Sequence, residues 1–363
     1  MGARQHGYRQ ADDAAAGEPV KFLVVGLGGI GQRHTRNLRS MLGDRCEIIA
    51  YRVRRDSPLL TDTLQVEARD GLEERYGIRS FGRLDHALAE RPDAALICNP
   101  TSLHLDVALE AARAGCHLLI EKPLSHTLKG IDELEAIVKK QNLVCMIAYQ
   151  LRFHPCLTVA HRLFTDGVIG RAIACRATIG EYLPGWHRYE DYRGMYASKR
   201  ALGGGVILSQ IHELDMLYWF FGRPRHIVSM GGHLSDLEID VEDVASTLLS
   251  YEGMVAHLHQ DYVQQPPVRQ IEIIGSAGKM SIDLRSLSVA VYGGAGESIA
   301  SHSFEGFERN KLFIDELESF INAIKTRSAV PVDLSAGRQS LEMALAMRRS
   351  VETGTIVDMS APV

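Results

Sequence analysis

The chain has 363 residues, 45% of them hydrophobic and 23% charged, with a formal net charge of -5 at pH 7. That balance fits an ordinary globular protein and gives no basic surface for nucleic acid, and no apolar run reaches the roughly 18 residues a membrane span needs. The length points to two domains, and six cysteines without a CxxC pair point to a reduced, cytoplasmic protein without a metal site.

Residues 1–19 are polar and alanine-rich, lack the apolar stretch of a signal peptide, and read as a disordered tail. The run Phe22–Val25 then reads as a buried strand, followed at once by Gly26, Gly28 and Gly31 in the spacing G-x-G-x-x-G. In such a unit the first glycine makes the tight turn and the second lets a pyrophosphate approach the backbone. The third lets helix and strand pack closely. Gly29 and Ile30 open the helix whose free N–H groups would face the phosphates. The helix continues through Arg33–Leu42, and Cys46–Ala50 is a second strand. An acidic residue at the end of that strand would bind the ribose of NAD; here stands Arg52, within Tyr51-Arg52-Val53-Arg54-Arg55. A guanidinium there favours the 2′-phosphate of NADP, with NAD the alternative; a solvated basic loop is the reading without function.

Helical patterns over Asp70–Tyr76, Arg83–Glu90, Ser102–Ala114 and Ile131–Lys140 alternate with strands at Ala94–Cys98, His117–Ile120 and Leu143–Ala148. Such alternation means a doubly wound parallel sheet with helices on both faces and ligands at the carboxyl ends of its strands. Three loops fall there: Asn99-Pro100-Thr101 with His104 just beyond, Glu121-Lys122-Pro123, and Tyr149-Gln150-Leu151-Arg152. From Arg171 the texture turns β-rich, with strands at Ile173–Tyr182, His226–His233, Asp243–Tyr251, Val255–Tyr262 and Gln270–Ile274. Their short connections imply antiparallel pairing. Helices cover Val206–Phe221, Lys311–Lys325 and Ala336–Glu352.

Taken together, VGLGGIGQRH, CNPTSLH, AARAGCHLLIEKPLS, LRFHP and GGGVILSQIHELD resemble the Gfo/Idh/MocA family, the glucose–fructose oxidoreductase and inositol dehydrogenase group. The resemblance implies a Rossmann domain over 20–150. It further implies an α/β domain with a large, mostly antiparallel open sheet over 151–363, its last helices packing back on the first. It implies NAD(P)-dependent hydride transfer on a sugar, nucleotide sugar or cyclitol, and a homodimer or homotetramer. Cofactor contacts then fall to Gly26, Gly28, Gly29, Ile30, Gly31, Arg52, Asn99, Thr101, His104, Glu121 and Lys122.

Lys122, by itself readable as a surface lysine, becomes within the EKP match the group that exchanges a proton with the substrate hydroxyl. His212 takes the place of the family histidine, and imidazole titrates near neutrality, as proton relay requires. The aspartate that often stands one turn earlier is missing; Ser209 and Gln210 are there instead. Arg152 and the aromatic, charged stretch holding Tyr182, Trp186, Arg193 and Tyr196 would meet the substrate with Ser209 and His212; an ordered surface loop is the plain alternative. Two further readings remain for the family: a dinucleotide-sensing regulator without turnover, and a transhydrogenating enzyme with tightly held cofactor.

Overall fold

The computed structural model describes residues 20–54, 57–68 and 71–360, so the expected tail over 1–19 lies outside the described residues. The first half supplies strands β1 (Val20–Val25), β2 (Cys46–Tyr51), β3 (Leu59–Leu60), β4 (Val66–Ala68), β5 (Arg79–Phe81), β6 (Ala94–Ile97), β7 (His117–Glu121) and β8 (Cys145–Ala148). Six of them form one sheet in the order β5-β2-β1-β6-β7-β8, with every pair parallel. Because β1, β6, β7 and β8 are covered on both faces, they read as unbroken apolar runs rather than alternating ones. The order reverses between β1 and β6, and a crevice at the carboxyl ends follows from that reversal. A small hairpin, β3–β4, is inserted after β2; its short strands carry no periodicity that the sequence could reveal.

Helices α1 (Gly29–Leu42), α2 (Leu72–Tyr76), α3 (Leu84–Leu88), α4 (His104–Arg113), α5 (Ile131–Lys140), α6 (Pro155–Thr165), α7 (Val206–Ser209), α8 (His212–Phe221), α9 (Asn310–Thr326) and α10 (Leu334–Thr353) complete the layers. Leu317, Phe320 and Ile321 of α9 join Phe22, Val24 and Leu38 in one buried cluster, so a helix from the end of the chain covers the first sheet beside α1. The other face belongs to α4 and α5, whose Leu105, Ile131 and Leu134 share the larger core.

The second sheet is built from β9 (Ala172–Gly180), β10 (His226–Gly232), β11 (Val244–Tyr251), β12 (Met254–Asp261), β13 (Val268–Gly275), β14 (Gly278–Asp283), β15 (Ser288–Gly293), β16 (Ser298–Ser303) and β17 (Val357–Asp358). Its order is β16-β15-β14-β13-β9-β12-β11-β10-β17. One pair departs from the antiparallel expectation: β9 and β12 run parallel. The long excursion through α7 and α8 carries the chain to the far edge, and the β10–β11–β12 meander returns it beside β9 in the same direction. Cys175, Ala177, Ile179, Ala256, Leu258, Ile271 and Ile273 point inward by strict alternation and are buried.

Where the sequence predicts one helix over Val206–Phe221, the structure has two, α7 and α8, broken at Gln210 and Ile211. The sheet stabilises this break: Gln210 Nε2 donates to the Asp261 carbonyl and Gln260 Nε2 donates to the Gln210 carbonyl, both at 3.0 Å. The break turns the carbonyl of Ser209 and the side chain of His212 towards the first sheet.

His154 caps α6 by accepting from the Cys156 N–H at 3.3 Å, so its ring must be neutral at Nδ1. Burial first, then Arg269, lowers its pKa to about 4. The unfolded chain takes up this proton near pH 6.5 while the folded one does not, so stability is lost as pH falls from about 6.5 towards 4, at up to about 1.4 kcal/mol per pH unit. Between pH 7 and pH 5 we expect His154→Asn, which keeps a capping acceptor, to lose about 2 kcal/mol less than the wild type in denaturant unfolding. Equal losses would show that His154 does not govern the acid sensitivity.

Candidate active site

The glycine turn after β1 has the form a dinucleotide needs. A side chain at Gly31 would place its Cβ 1.9 Å from the Gly26 carbonyl oxygen, a backbone clash that only glycine avoids. At Gly28, by contrast, a Cβ would meet nothing within 4 Å, so the backbone there is open to an approaching phosphate. Gly28 is the N-cap of α1 and no side chain caps it, which leaves N–H groups for an anion. Ile30 packs into the core and holds the turn in place. The residues present therefore fit a nicotinamide dinucleotide. Over Gly29 lie Leu64 from the β3–β4 hairpin and the Tyr189 hydroxyl, 3.0 and 3.2 Å from where a Cβ would be. Leu64 does not stand out in the sequence, whereas Tyr189 belongs to the aromatic, charged stretch read there as facing the substrate.

The loops after β6 and β7 are tied together by His104, whose ring nitrogens lie 2.8 Å from the Asn99 and Pro123 carbonyls. His104 thus places the loops rather than presenting a free group to a ligand. Thr101 is buried against Gly203. Asn99 Nδ2 donates to the Leu103 carbonyl at 3.3 Å, and its Oδ1 is buried without a partner among the described residues. Glu121 Oε1 is 2.9 Å from His34 Nε2 on α1. Facing it from α9 is Glu316, fully buried, whose carboxyl is pushed well up by burial and then by Glu121. That partner lies 195 positions away in sequence, beyond the reach of any motif.

Lys122 precedes a cis proline and its Nζ donates to the Ser209 carbonyl at 2.8 Å. The missing family aspartate is thus answered by a backbone oxygen at the α7–α8 break. His212 follows three residues later, buried, with its Nδ1 lacking a partner among the described residues. Its ring stands edge-on to Tyr149, centroids 5.6 Å apart. Burial first, then Lys122, Arg269 and Arg309, holds its pKa well below the usual imidazole range, so the ring is neutral at pH 7. Ser209 Oγ is buried and also without a partner among the described residues. Trp186 stands edge-on to Tyr262 at 5.3 Å, Tyr182 is exposed, and Tyr196 is half-buried, on the stretch that leads from β9 to the triple glycine.

Three expected ligand contacts have other partners. Arg152 donates from Nε and one Nη to both oxygens of Asp215, each at 2.8 Å, and its guanidinium lies 4.7 Å above the Trp219 ring. With both side chains buried, this pair ties α8 to the loop after β8. Losing one member leaves a buried charge, so Arg152→Ala should cost about 3–5 kcal/mol of stability and leave the substrate KM unchanged. A raised KM with full stability would restore Arg152 to the substrate. Arg193 is exposed and pairs with Asp191 and Glu238. Arg52 is buried and paired with Glu73 at 2.9 Å, and its Nη2, without a partner among the described residues, is closed off from solvent rather than open to a 2′-phosphate.

Residues 20–149 match the model described as "Oxidoreductase family, NAD-binding Rossmann fold", and residues 158–281 match the GFO/IDH/MocA C-terminal domain. The chain belongs to the Gfo/Idh/MocA oxidoreductase family. It is 30% identical to the UDP-N-acetylglucosamine 3-dehydrogenase of Acidithiobacillus ferrooxidans, over 76% of this chain and 83% of that protein. Myo-inositol 2-dehydrogenase of Thermotoga maritima is 26% identical over 92% of this chain and 96% of its own length. Among solved structures, levoglucosan dehydrogenase in complex with NADH and levoglucosan superposes with a TM-score of 0.80 at 18% identity, covering 95% of this chain and all (100%) of that one. The WlbA dehydrogenase from Bordetella pertussis, in complex with NADH and UDP-GlcNAcA, gives 0.76 at 21% identity, covering 94% and 99%. At these identities the structures speak for the fold. Among the described residues no helix is long and apolar enough to cross a membrane, and no cluster of His, Cys, Asp and Glu could hold a metal ion.

Proposed function

We propose that this oxidoreductase transfers hydride between a nicotinamide cofactor and a secondary alcohol or ketone of a sugar, nucleotide sugar or cyclitol. Residues 20–150 hold the cofactor and 151–363 the substrate. The observation that carries the reading is the meeting of Lys122 with the α7–α8 break, three residues from a buried neutral His212, beside the dinucleotide turn. When bound, the nicotinamide supplies the hydride acceptor or donor. Lys122 holds the substrate oxygen and places positive charge where alkoxide character develops. His212, neutral at pH 7, takes the hydroxyl proton in the oxidative direction and returns it in reduction. The Ser209 carbonyl fixes the ammonium, and Tyr149 fixes the imidazole plane.

NAD(H) is the working cofactor in this reading, since Arg52 is occupied. The six cysteines are free and buried, which suits a reducing cytoplasm. The outer face of the second sheet carries Val228, Met230, Leu248 and Val255 on neighbouring strands, with Met230, Leu248 and Val255 well exposed; homodimers or homotetramers would cover it.

The test is to titrate the protein with NADH and NADPH by nicotinamide fluorescence, then assay free sugars, cyclitols and nucleotide sugars. Binding with turnover of one class supports the proposal and names the substrate. Binding without turnover favours a dinucleotide-sensing regulator, and cofactor that survives purification favours the transhydrogenating reading. Absence of binding overturns hydride transfer.

A further inference from the structure

Arg52 is the first residue after β2, where dinucleotide-binding units place the group that reads the adenosine ribose. A free guanidinium at that point recruits a 2′-phosphate, and a carboxylate accepts from a 2′-hydroxyl. This chain has both. Arg52 Nη1 donates to Glu73 Oε1 at 2.9 Å and Nε donates to the Arg54 carbonyl at 3.0 Å, while Nη2 is buried without a partner among the described residues. The arginine side chain is 4% exposed, while that of Glu73 is 45% exposed and offers its carboxylate to solvent.

Glu73 is held firmly for a surface residue. It lies in the first turn of α2, whose flanking Gly71 and Gly77 adopt left-handed conformations, and Leu72 and Tyr76 anchor that helix in the same cluster as Ile48 and Ala50 of β2. Burial opposes its ionisation, but the hydrogen bonds it accepts and the charge of Arg52 outweigh that and hold its pKa below the usual range. The pair is therefore ionised and neutral overall at pH 7.

We propose that Glu73 sets the cofactor preference of this enzyme: by tying Arg52 and adding its own carboxylate, it selects the unphosphorylated ribose of NAD(H) and rejects that of NADP(H). The inference rests on the dehydrogenase reading above. Arg52 is buried, so removing Glu73 leaves its charge unpaired and lowers stability as well as changing selection; the two effects are read separately. A dianionic 2′-phosphate would meet the exposed Glu73 carboxylate, with the guanidinium buried and paired to it; a 2′-hydroxyl needs only the acceptor. The carboxylate the strand end lacks thus arrives from a helix 21 residues later.

The experiment measures Kd for NADH and NADPH on the full chain by nicotinamide fluorescence, for the wild type, Glu73→Gln and Glu73→Gln with Arg52→Ala. Thermal melting of each variant accompanies the titrations. The wild type should bind NADH more tightly. Glu73→Gln should shift the ratio towards NADPH by about ten- to a hundred-fold, the worth of one charge-assisted contact. Adding Arg52→Ala should abolish that shift. Glu73→Gln alone should melt lower than the wild type, since it leaves the Arg52 charge buried without its partner, yet stay folded at the titration temperature. An unchanged ratio in Glu73→Gln, or a wild type that prefers NADPH, overturns the proposal while leaving hydride transfer standing. Binding of neither cofactor by the folded wild type overturns both.

Discussion

Replacing Lys122 by methionine is expected to lower kcat by about a hundred- to a thousand-fold, the usual cost of losing one donor that stabilises developing oxyanion charge. Methionine keeps an unbranched stem of similar reach, so packing below the loop is retained. What is lost is the donor to the Ser209 carbonyl and the positive charge in front of His212. Affinity for NADH should change little, because the glycine turn and the Arg52–Glu73 pair are untouched. Lys122→Arg separates charge from proton transfer: a guanidinium restores the charge but does not give up a proton at any working pH. A role in proton exchange leaves the arginine variant nearly as slow as methionine, whereas a purely electrostatic role restores most of the rate. Stopped-flow hydride transfer under single turnover is the measurement, since it excludes product release. A methionine variant with wild-type single-turnover rates would remove Lys122 from the chemistry.

The parts of this molecule that were legible in the sequence are those decided by neighbours in the chain. The strand–glycine–helix unit, the apolar runs of β1, β6, β7 and β8, and the alternation between them follow from local pattern, and the observed ends agree to within two residues. Strands β14, β15 and β16 escaped, because runs such as Ser288–Gly293 and Ser298–Ser303 mix small and polar residues at too low a contrast for a period of two. Helix α6 begins within LRFHP, where Pro155 at its first position and His154 as its cap carry the local signal for a helix start.

Partnership was the less legible quantity. Arg52 and Arg152 are both arginines at strand ends that open on the crevice, where a free guanidinium reads as a phosphate or substrate contact. Whether it is free depends on Glu73 and Asp215, which arrive 21 and 63 residues later on other elements. Glu316 shows the same limit at longer range: nothing in the pattern of α9 distinguishes a glutamate that faces Glu121 from one that faces water. The parallel β9–β12 pair was lost for a related reason, since strand direction depends on where the α7–α8 excursion lands rather than on the length of any single turn.

Substituting His212 by asparagine should also cost about a hundred- to ten-thousand-fold in kcat for alcohol oxidation, and the pH profile should identify its role. The imidazole is neutral because burial, Lys122, Arg269 and Arg309 all oppose its charge. A base with that depressed pKa is in its active form at every pH above it, so kcat/KM should be level near neutrality and fall only on the acid side, below the ordinary imidazole range. Asparagine can hydrogen-bond to the hydroxyl but cannot take its proton, so the acid limb should vanish with the rate. His212 is also charged less readily folded than unfolded. The wild type therefore loses stability as pH falls below about 6.5, and the variant loses correspondingly less. Profiles are thus best taken from initial rates on enzyme shown to be folded at each pH. If the variant retains an acid limb at its reduced rate, the titrating group lies elsewhere and His212 only positions the hydroxyl. If it retains both limb and rate, proton transfer runs through Lys122 alone, with the Ser209 carbonyl as its hydrogen-bond partner among the described residues.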